Sequence, residues 1–220
     1  LHLTGGVPYT SDGTRLAEEG FIFAPSRPTT SVGGTGLTGT YRYVAVYEEV
    51  DAQGNWHQSG LSLPSEAQVA ANETITVRVY PVVVTSRSNP AATQSSTLRI
   101  VLYRTADGGE PPYYRLTTLA NDTASQPFYE DTIADADITD NAKLYSQPGV
   151  LGTAQDHRPP PAFVDIVEHL GLLVGLTNEE IWCSGQAVYG EALWWHPIFS
   201  VPFRDGPALA SQDGLVYAFT

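Results

Sequence analysis

The sequence predicts an all-β protein: antiparallel sheets packed face to face, flanked at both ends by meanders of short strands. Three observations carry that expectation. Apolar and polar residues alternate along most runs, the period of a strand buried on one face. Apolar spacing of the helical kind is nearly absent. Twenty glycines and 16 prolines interrupt the 220 residues often, as tight turns between short strands require.

Residues 1–35 open with two short polar strands around Asp12-Gly13, a hairpin turn pair. The Pro-, Gly-, Ser- and Thr-rich stretch "APSRPTTSVGGTGLTGT" that follows reads as a linker. Residues 36–150 hold the longest strands. In Tyr41 to Val50 one face presents Tyr41, Tyr43, Ala45 and Tyr47 and the other Val44, Val46 and Val50, so both faces are expected to be partly covered. "DAQGN" turns the chain into a polar return strand that runs into a proline. Ile75, Val77 and Val79 then share one face of a strand, and Leu98, Ile100 and Leu102 one face of the next. "YYRLTTL" returns, and "PFYEDTI" is a short edge strand before the acidic turn "ADADITD". Strands without intervening helices argue for a sandwich. In residues 151–220, "AFVDIVEHLGLLVGLTNEEIWCSG" gives three strand-sized runs, and "PALASQDGLVYAFT" a hairpin about Asp213-Gly214. A meander of short strands with little core of its own is the pattern of a propeller blade, which needs neighbours to bury its faces.

Charge narrows the partners. Twenty-four acidic residues against 11 basic ones give a formal charge of −13, which disfavours nucleic acid and anionic membrane as general ligands. The charge also serves solubility. No run approaches the ~20 apolar residues of a membrane-spanning helix. The single cysteine, Cys183, excludes an internal disulfide and a cysteine-based zinc site. That usage fits manufacture in a reducing cytoplasm, bacterial or viral, and makes the sequons at Asn72 and Asn121 weak evidence of glycosylation. The chain has no methionine and stops inside the strand-like "GLVYAFT", so it is expected to be a piece of a longer polypeptide.

The middle zone, through "LRIVLYRTADGGEPPYYRLTTL", "FYEDT" and "YRYVAVYEEVDAQGNWHQSGLSLPSE", resembles a fibronectin type III or immunoglobulin-like sandwich, with the last segment unusually early in the order. The flanks, "LHLTGGVPYTSDGTRLAEEGFIFAP" before it and "HLGLLVGLTNEEIWCSG" with "PALASQDGLVYAFT" after it, resemble propeller blades of nozzle or tail-hub (stabilisation) proteins of short-tailed bacteriophages. The resemblance implies a sandwich inserted between blade segments. It also implies a non-enzymatic virion component, forming a homo-oligomeric ring with portal or adaptor subunits around exiting DNA. The alternative is a secreted bacterial protein that acts on or binds glycans. No cofactor is expected under either.

Candidate chemistry is sparse. "ALWWHPIF" gathers Trp194, Trp195 and His196; adjacent strand tryptophans point to opposite faces, so one is expected inside and the other free to stack on a sugar or a partner subunit. Packing between blades is the plainer use of both. Glu130, Asp131, Asp135, Asp137 and Asp140 offer hard oxygen ligands, but without the order of an EF-hand they read as a solvated acidic turn rather than a calcium site. "SQDGLVYAF" is similar to the Asp-box turn of sialidase-like propellers, except that Asp213 and Gly214 are adjacent. The five histidines show no close metal-ligand spacing, Cys183 reads as a small buried hydrophobe, and "VGGTGLTG" lacks the GK[ST] ending and helix of a phosphate loop.

Overall fold

A computed structural model describes residues 2–3, 6–87, 98–144, 157–185, 192–203, 208–212 and 214–219. The chain opens with β1 (His2–Leu3), β2 (Tyr9–Ser11) and β3 (Leu16–Glu18), an antiparallel meander turned at Asp12-Gly13 as expected. Seven strands follow: β4 (Thr29–Tyr41), β5 (Tyr43–Val50), β6 (Trp56–Gln58), β7 (Gln68–Arg78), β8 (Arg99–Arg104), β9 (Tyr114–Ala120) and β10 (Phe128–Asp131). They make two antiparallel sheets, ordered β6-β5-β8-β9 and β10-β7-β4. Next come β11 (Asp165–His169), β12 (Leu172–Leu176), β13 (Glu180–Ser184) and β14 (Trp195–Pro202), a four-stranded meander in chain order, then the hairpin of β15 (Ala208–Gln212) and β16 (Leu215–Phe219). Asp213, expected in that hairpin's turn, lies outside the described residues. The fold class is all-β, and among the described residues helix is limited to one 3-10 turn at Asp135–Asp137.

The two central sheets face each other across one apolar interior. Tyr43, Ala45 and Tyr47 of β5 and Ile100 and Leu102 of β8 meet Ile75 and Val77 of β7, all essentially inaccessible to water. Each aliphatic side chain buried there contributes about 2 kcal/mol. The tyrosines carry a hydroxyl into this layer and each finds an acceptor: Tyr43 on Asp131, Tyr47 on the carbonyl of Tyr80 and Tyr41 on the carbonyl of Thr38. The opposite face of β5 is covered too: Val44, Val46, Val101 and Tyr103 lie beneath Leu61, Tyr113 and Leu144. That is the two-sided burial expected of Tyr41 to Val50.

Two segments depart from expectation. "PTTSVGGTGLTGT" is not a linker. Thr29–Tyr41 pairs along its length with β7, with irregularities around Leu37. Most of its side chains are exposed, so the pairing is a main-chain matter and leaves no apolar alternation in the sequence. The chain before it is also anchored, because Phe21 is buried in the sandwich core against the Tyr47 ring.

The second departure is the return after "DAQGN", where β6 lasts three residues. From there Ser59, Ser62 and Ser65 follow β5 at every third position. Each serine donates its backbone N–H to the carbonyl of Tyr47, Ala45 or Tyr43 in turn, at 2.8–3.0 Å. Each hydroxyl accepts the N–H of that same residue, at 2.8–3.0 Å. The hydroxyls also donate to the carbonyl of the next residue in the return. Three buried serines thus satisfy the flank of β5 without a strand. Ser62→Ala is expected to cost about 1–3 kcal/mol, the penalty of a buried N–H left without an acceptor. Chemical denaturation checks this, and Ser62→Cys, a poorer acceptor, should fall between the two.

In the last meander the turn after β11 places Leu170 at φ 50° and Gly171 at φ 78°, the paired positive angles of a two-residue hairpin loop. Gly175 is required by contact, since a Cβ there would stand 2.5 Å from the Phe163 ring. One face of this sheet is packed by Phe163, Leu173 and Trp195. The other carries Val174 and Leu176, onto which β15–β16 lays Leu209, Val216 and Ala218.

Candidate functional site

Titratable groups converge where the first meander, the sandwich and the last third meet. Successive strand residues point to opposite faces, so Glu48 and Glu49 of β5 send one carboxylate each way. Both meet arginine. Arg115 reaches Glu48 at 3.1 and 3.2 Å. On the other face Arg15 and Arg87 share Glu49, which is 1% exposed, with Arg87 at 2.9 Å. Arg87, equally buried, also donates from Nε to the carbonyl of Gly20 at 2.7 Å and from Nη2 to that of Glu18, and it lies over the Phe21 ring. The Glu18 carboxylate accepts from the Ser86 N–H and the Thr85 hydroxyl. One guanidinium therefore ties β3 to β5.

Beside this network is a cavity of about 310 Å³, walled by Asp12, Arg15 and Glu19 of the first meander, Asp51 and His57 of the sandwich, and Ala192 and Leu193 of the last third. Two aspartate turns shape it. The Asp12 carboxylate accepts the N–H groups of Thr14 and Arg15 and the Thr14 hydroxyl at 2.8 Å, with Ala52 N–H at 3.3 Å. Burial opposes the charge, but those hydrogen bonds prevail and hold the carboxyl well below its usual range. Asp51 accepts the N–H groups of Gln53 and Asn55 and, through Oδ2, the Asn55 amide and the His57 ring. It too is lowered, with burial outweighed by the bonds from His57 and Asn55.

His57 sits opposite Glu49 in the β5–β6 pair, 6% exposed. Its Nε2 lies 3.0 Å from Asp51, an ionised acceptor, so Nε2 carries the hydrogen and Nδ1 presents a lone pair. That Nδ1 is buried with no protein partner. Burial, and then the Arg87 cation, push the ring down to about 4 from 6.5 against the pull of Asp51 and Glu19. The unfolded chain therefore takes up this proton first as pH falls. The stability that the neutral ring confers is complete above pH 6.5 and drains away towards about 4, a loss of about 3 kcal/mol. His57→Gln is expected to flatten that acid limb; denaturation curves across the window measure it, and an unchanged slope contradicts the assignment.

The sequence-derived candidates have different surroundings. Trp194 and Trp195 are both buried, at 5% and 0%. Trp195 packs on Phe163 with ring centroids 5.0 Å apart, and Trp194 is stacked on His157 and edged by Phe199. The side expected to be free is thus covered, and neither ring offers a face to a sugar in this conformation. His196 next to them is half-buried. Cys183 is half-buried against the β15–β16 hairpin, and burial pushes its thiol up. His169 is within hydrogen-bond distance of the Ser211 hydroxyl.

The acidic turn is not wholly solvated, as had been expected. Arg104 lies inside it, 2.8 Å from Asp131 and 2.7 Å from Asp135, so two of its carboxylates already hold a cation. Among the described residues no group of three or more metal-ligating side chains comes together. The Asn121 amide clasps both main-chain groups of Val82 at 2.8 and 2.9 Å, a structural use of a residue that also heads a sequon. The junction cavity was missed from sequence. Its walls come from stretches far apart in the chain, and each of them alone is an ordinary polar turn. Compared with family models, curated proteins and solved structures, the chain gives no match.

Proposed function

We propose that the chain is a structural part of a bacteriophage tail, a nozzle or hub component assembling in a ring with portal or adaptor subunits. The observation that carries this reading is the four-stranded meander β11–β14 with a second hairpin laid on its face, the arrangement by which propeller blades bury one another. On this reading the central sandwich is a fibronectin type III-like module held between blade-type segments. It projects from the ring to brace a neighbour or meet the host surface. The surplus of 13 negative charges suits a part past which DNA slides without adhering. The role is mechanical: strand ladders and buried ion pairs give a stiff subunit, and the protein is not an enzyme.

The test is the assembly state of the protein in solution. Light scattering and electron microscopy of negatively stained particles are expected to show closed rings, alone or with portal protein. A stable monomer that cleaves glycosides overturns the reading.

A further inference from the structure

Two Asp-Gly pairs lie wholly within the described residues, Asp12-Gly13 and Asp107-Gly108, and their surroundings are opposite. In such a pair the backbone nitrogen of the glycine can close a five-membered ring on the aspartate side chain, because no Cβ obstructs its approach. At Asp12 that nitrogen is turned elsewhere: Gly13 donates to the Ser11 hydroxyl oxygen at 3.2 Å. The Asp12 carboxylate is taken up by Thr14 and Arg15, and burial is outweighed there by hydrogen bonds that keep it ionised, a poor electrophile. At Asp107, in the exposed turn between β8 and β9, the nitrogen faces the carboxyl group instead. Gly108 donates to Asp107 Oδ1 at 2.7 Å, so the two reacting groups are already held against each other. Gly108 has φ 104°, and nothing lies within 4 Å of where a Cβ would stand. The Thr40 N–H donates to the same Oδ1 at 2.8 Å. It is placed to hold the negative charge that this oxygen gains when the nitrogen adds to Cγ.

We propose that Asp107 is a site of spontaneous modification, cyclising with Gly108 to a succinimide that opens to isoaspartate. In the first step the bond from the Gly108 nitrogen to Cγ forms and the bond from Cγ to Oδ2 breaks. Oδ2 leaves as water, carrying the carboxyl proton and the amide proton, and Oδ1 stays as an imide oxygen. In the second step water adds to one of the two imide carbonyls. Addition at Cγ restores aspartate. Addition at the main-chain carbonyl carbon of Asp107 breaks its bond to the Gly108 nitrogen, so the chain then runs through Cβ and Cγ with a free carboxylate on Cα. The turn joining β8 to β9 is thereby lengthened by one backbone atom. Solvent water is the only reagent, and no electrons change hands.

The experiment holds the full 220-residue chain for weeks at body temperature and mildly acidic pH, both folded and in guanidinium chloride. The samples are digested and mapped by mass spectrometry, with isoaspartate scored by enzymatic methylation of its carboxylate. In the folded chain Asp107 is expected to accumulate succinimide, seen as the loss of a water, and isoaspartate at least about tenfold faster than Asp12. In denaturant the two pairs should react at similar rates, because the contacts that distinguish them are gone. Asp107→Asn should pass through the same ring faster, expelling ammonia in place of water, whereas Asp107→Glu, which would need a larger ring, should stay unmodified at that position. Should either variant fold poorly, the comparison of Asp107 with Asp12 in the unaltered chain decides alone. Absence of product at Asp107 in the folded chain, or equal accumulation at the two pairs, overturns the proposal.

Discussion

Asp131→Ala is expected to destabilise the chain by about 3–5 kcal/mol, the cost of leaving a buried charge without its partner. Arg104 and Asp131 are both fully inaccessible, 2.8 Å apart, with the Tyr43 hydroxyl donating to the same carboxylate oxygen at 2.7 Å. Asp135, the second carboxylate on Arg104, is half-exposed and holds the guanidinium from outside. It cannot bring water to the inner oxygen's place. The Arg104 guanidinium also lies 4.8 Å over the Tyr41 ring, and its Nε finds no acceptor, so the site has little spare hydrogen bonding with which to absorb the loss. Removing both charges together should hurt far less: Arg104→Met with Asp131→Leu is expected to recover most of the stability, because hydrophobic replacements of a buried pair are commonly near neutral. Urea denaturation followed by tryptophan fluorescence measures both. A single-variant loss below about 1 kcal/mol rules out a dominant pair.

Arg87→Ala is expected to cost a similar ~3–5 kcal/mol, but with a regional outcome. This side chain closes the ion pair to Glu49, two hydrogen bonds to the main chain of Glu18 and Gly20, and the contact over Phe21. Without it Glu49 keeps Arg15 alone, and β3 is left with the bonds of Glu18 to Thr85 and Ser86. The first meander should therefore detach before the sandwich unfolds. Limited proteolysis is expected to show new cleavage between β3 and β4 at denaturant concentrations where β5 and β8 remain protected from hydrogen exchange. Simultaneous loss of protection throughout the chain contradicts that order.

What could be read from sequence was what burial writes into it. Ile75, Val77 and Val79, and Leu98, Ile100 and Leu102, alternate because one face of each strand meets the interior. The three runs of the last meander were legible for the same reason, helped by the turn at Leu170-Gly171. Thr29–Tyr41 was not legible. A strand exposed over most of its length has no apolar pattern, and its glycines and threonines look like a linker until a partner pairs with them. The serine return repeats every third residue, a period belonging to neither strand nor helix, so it read as a weak strand. The ion pairs and the junction cavity depend on side chains dozens of residues apart, which local patterns do not connect. That Trp194 is covered was not legible either, because the ring of His157 stacked on it comes from beyond the sandwich.

The Ser59-Ser62-Ser65 ladder also governs how copies of this protein avoid one another. An incoming extended segment zips onto a sheet flank only when free donors and acceptors recur with its own two-residue rhythm. Here the outermost backbone repeats in threes, so no such segment stays in step with it beyond a single contact. That flank is a poor template for fibril growth, and Pro64, which has no N–H to lend, guards it further.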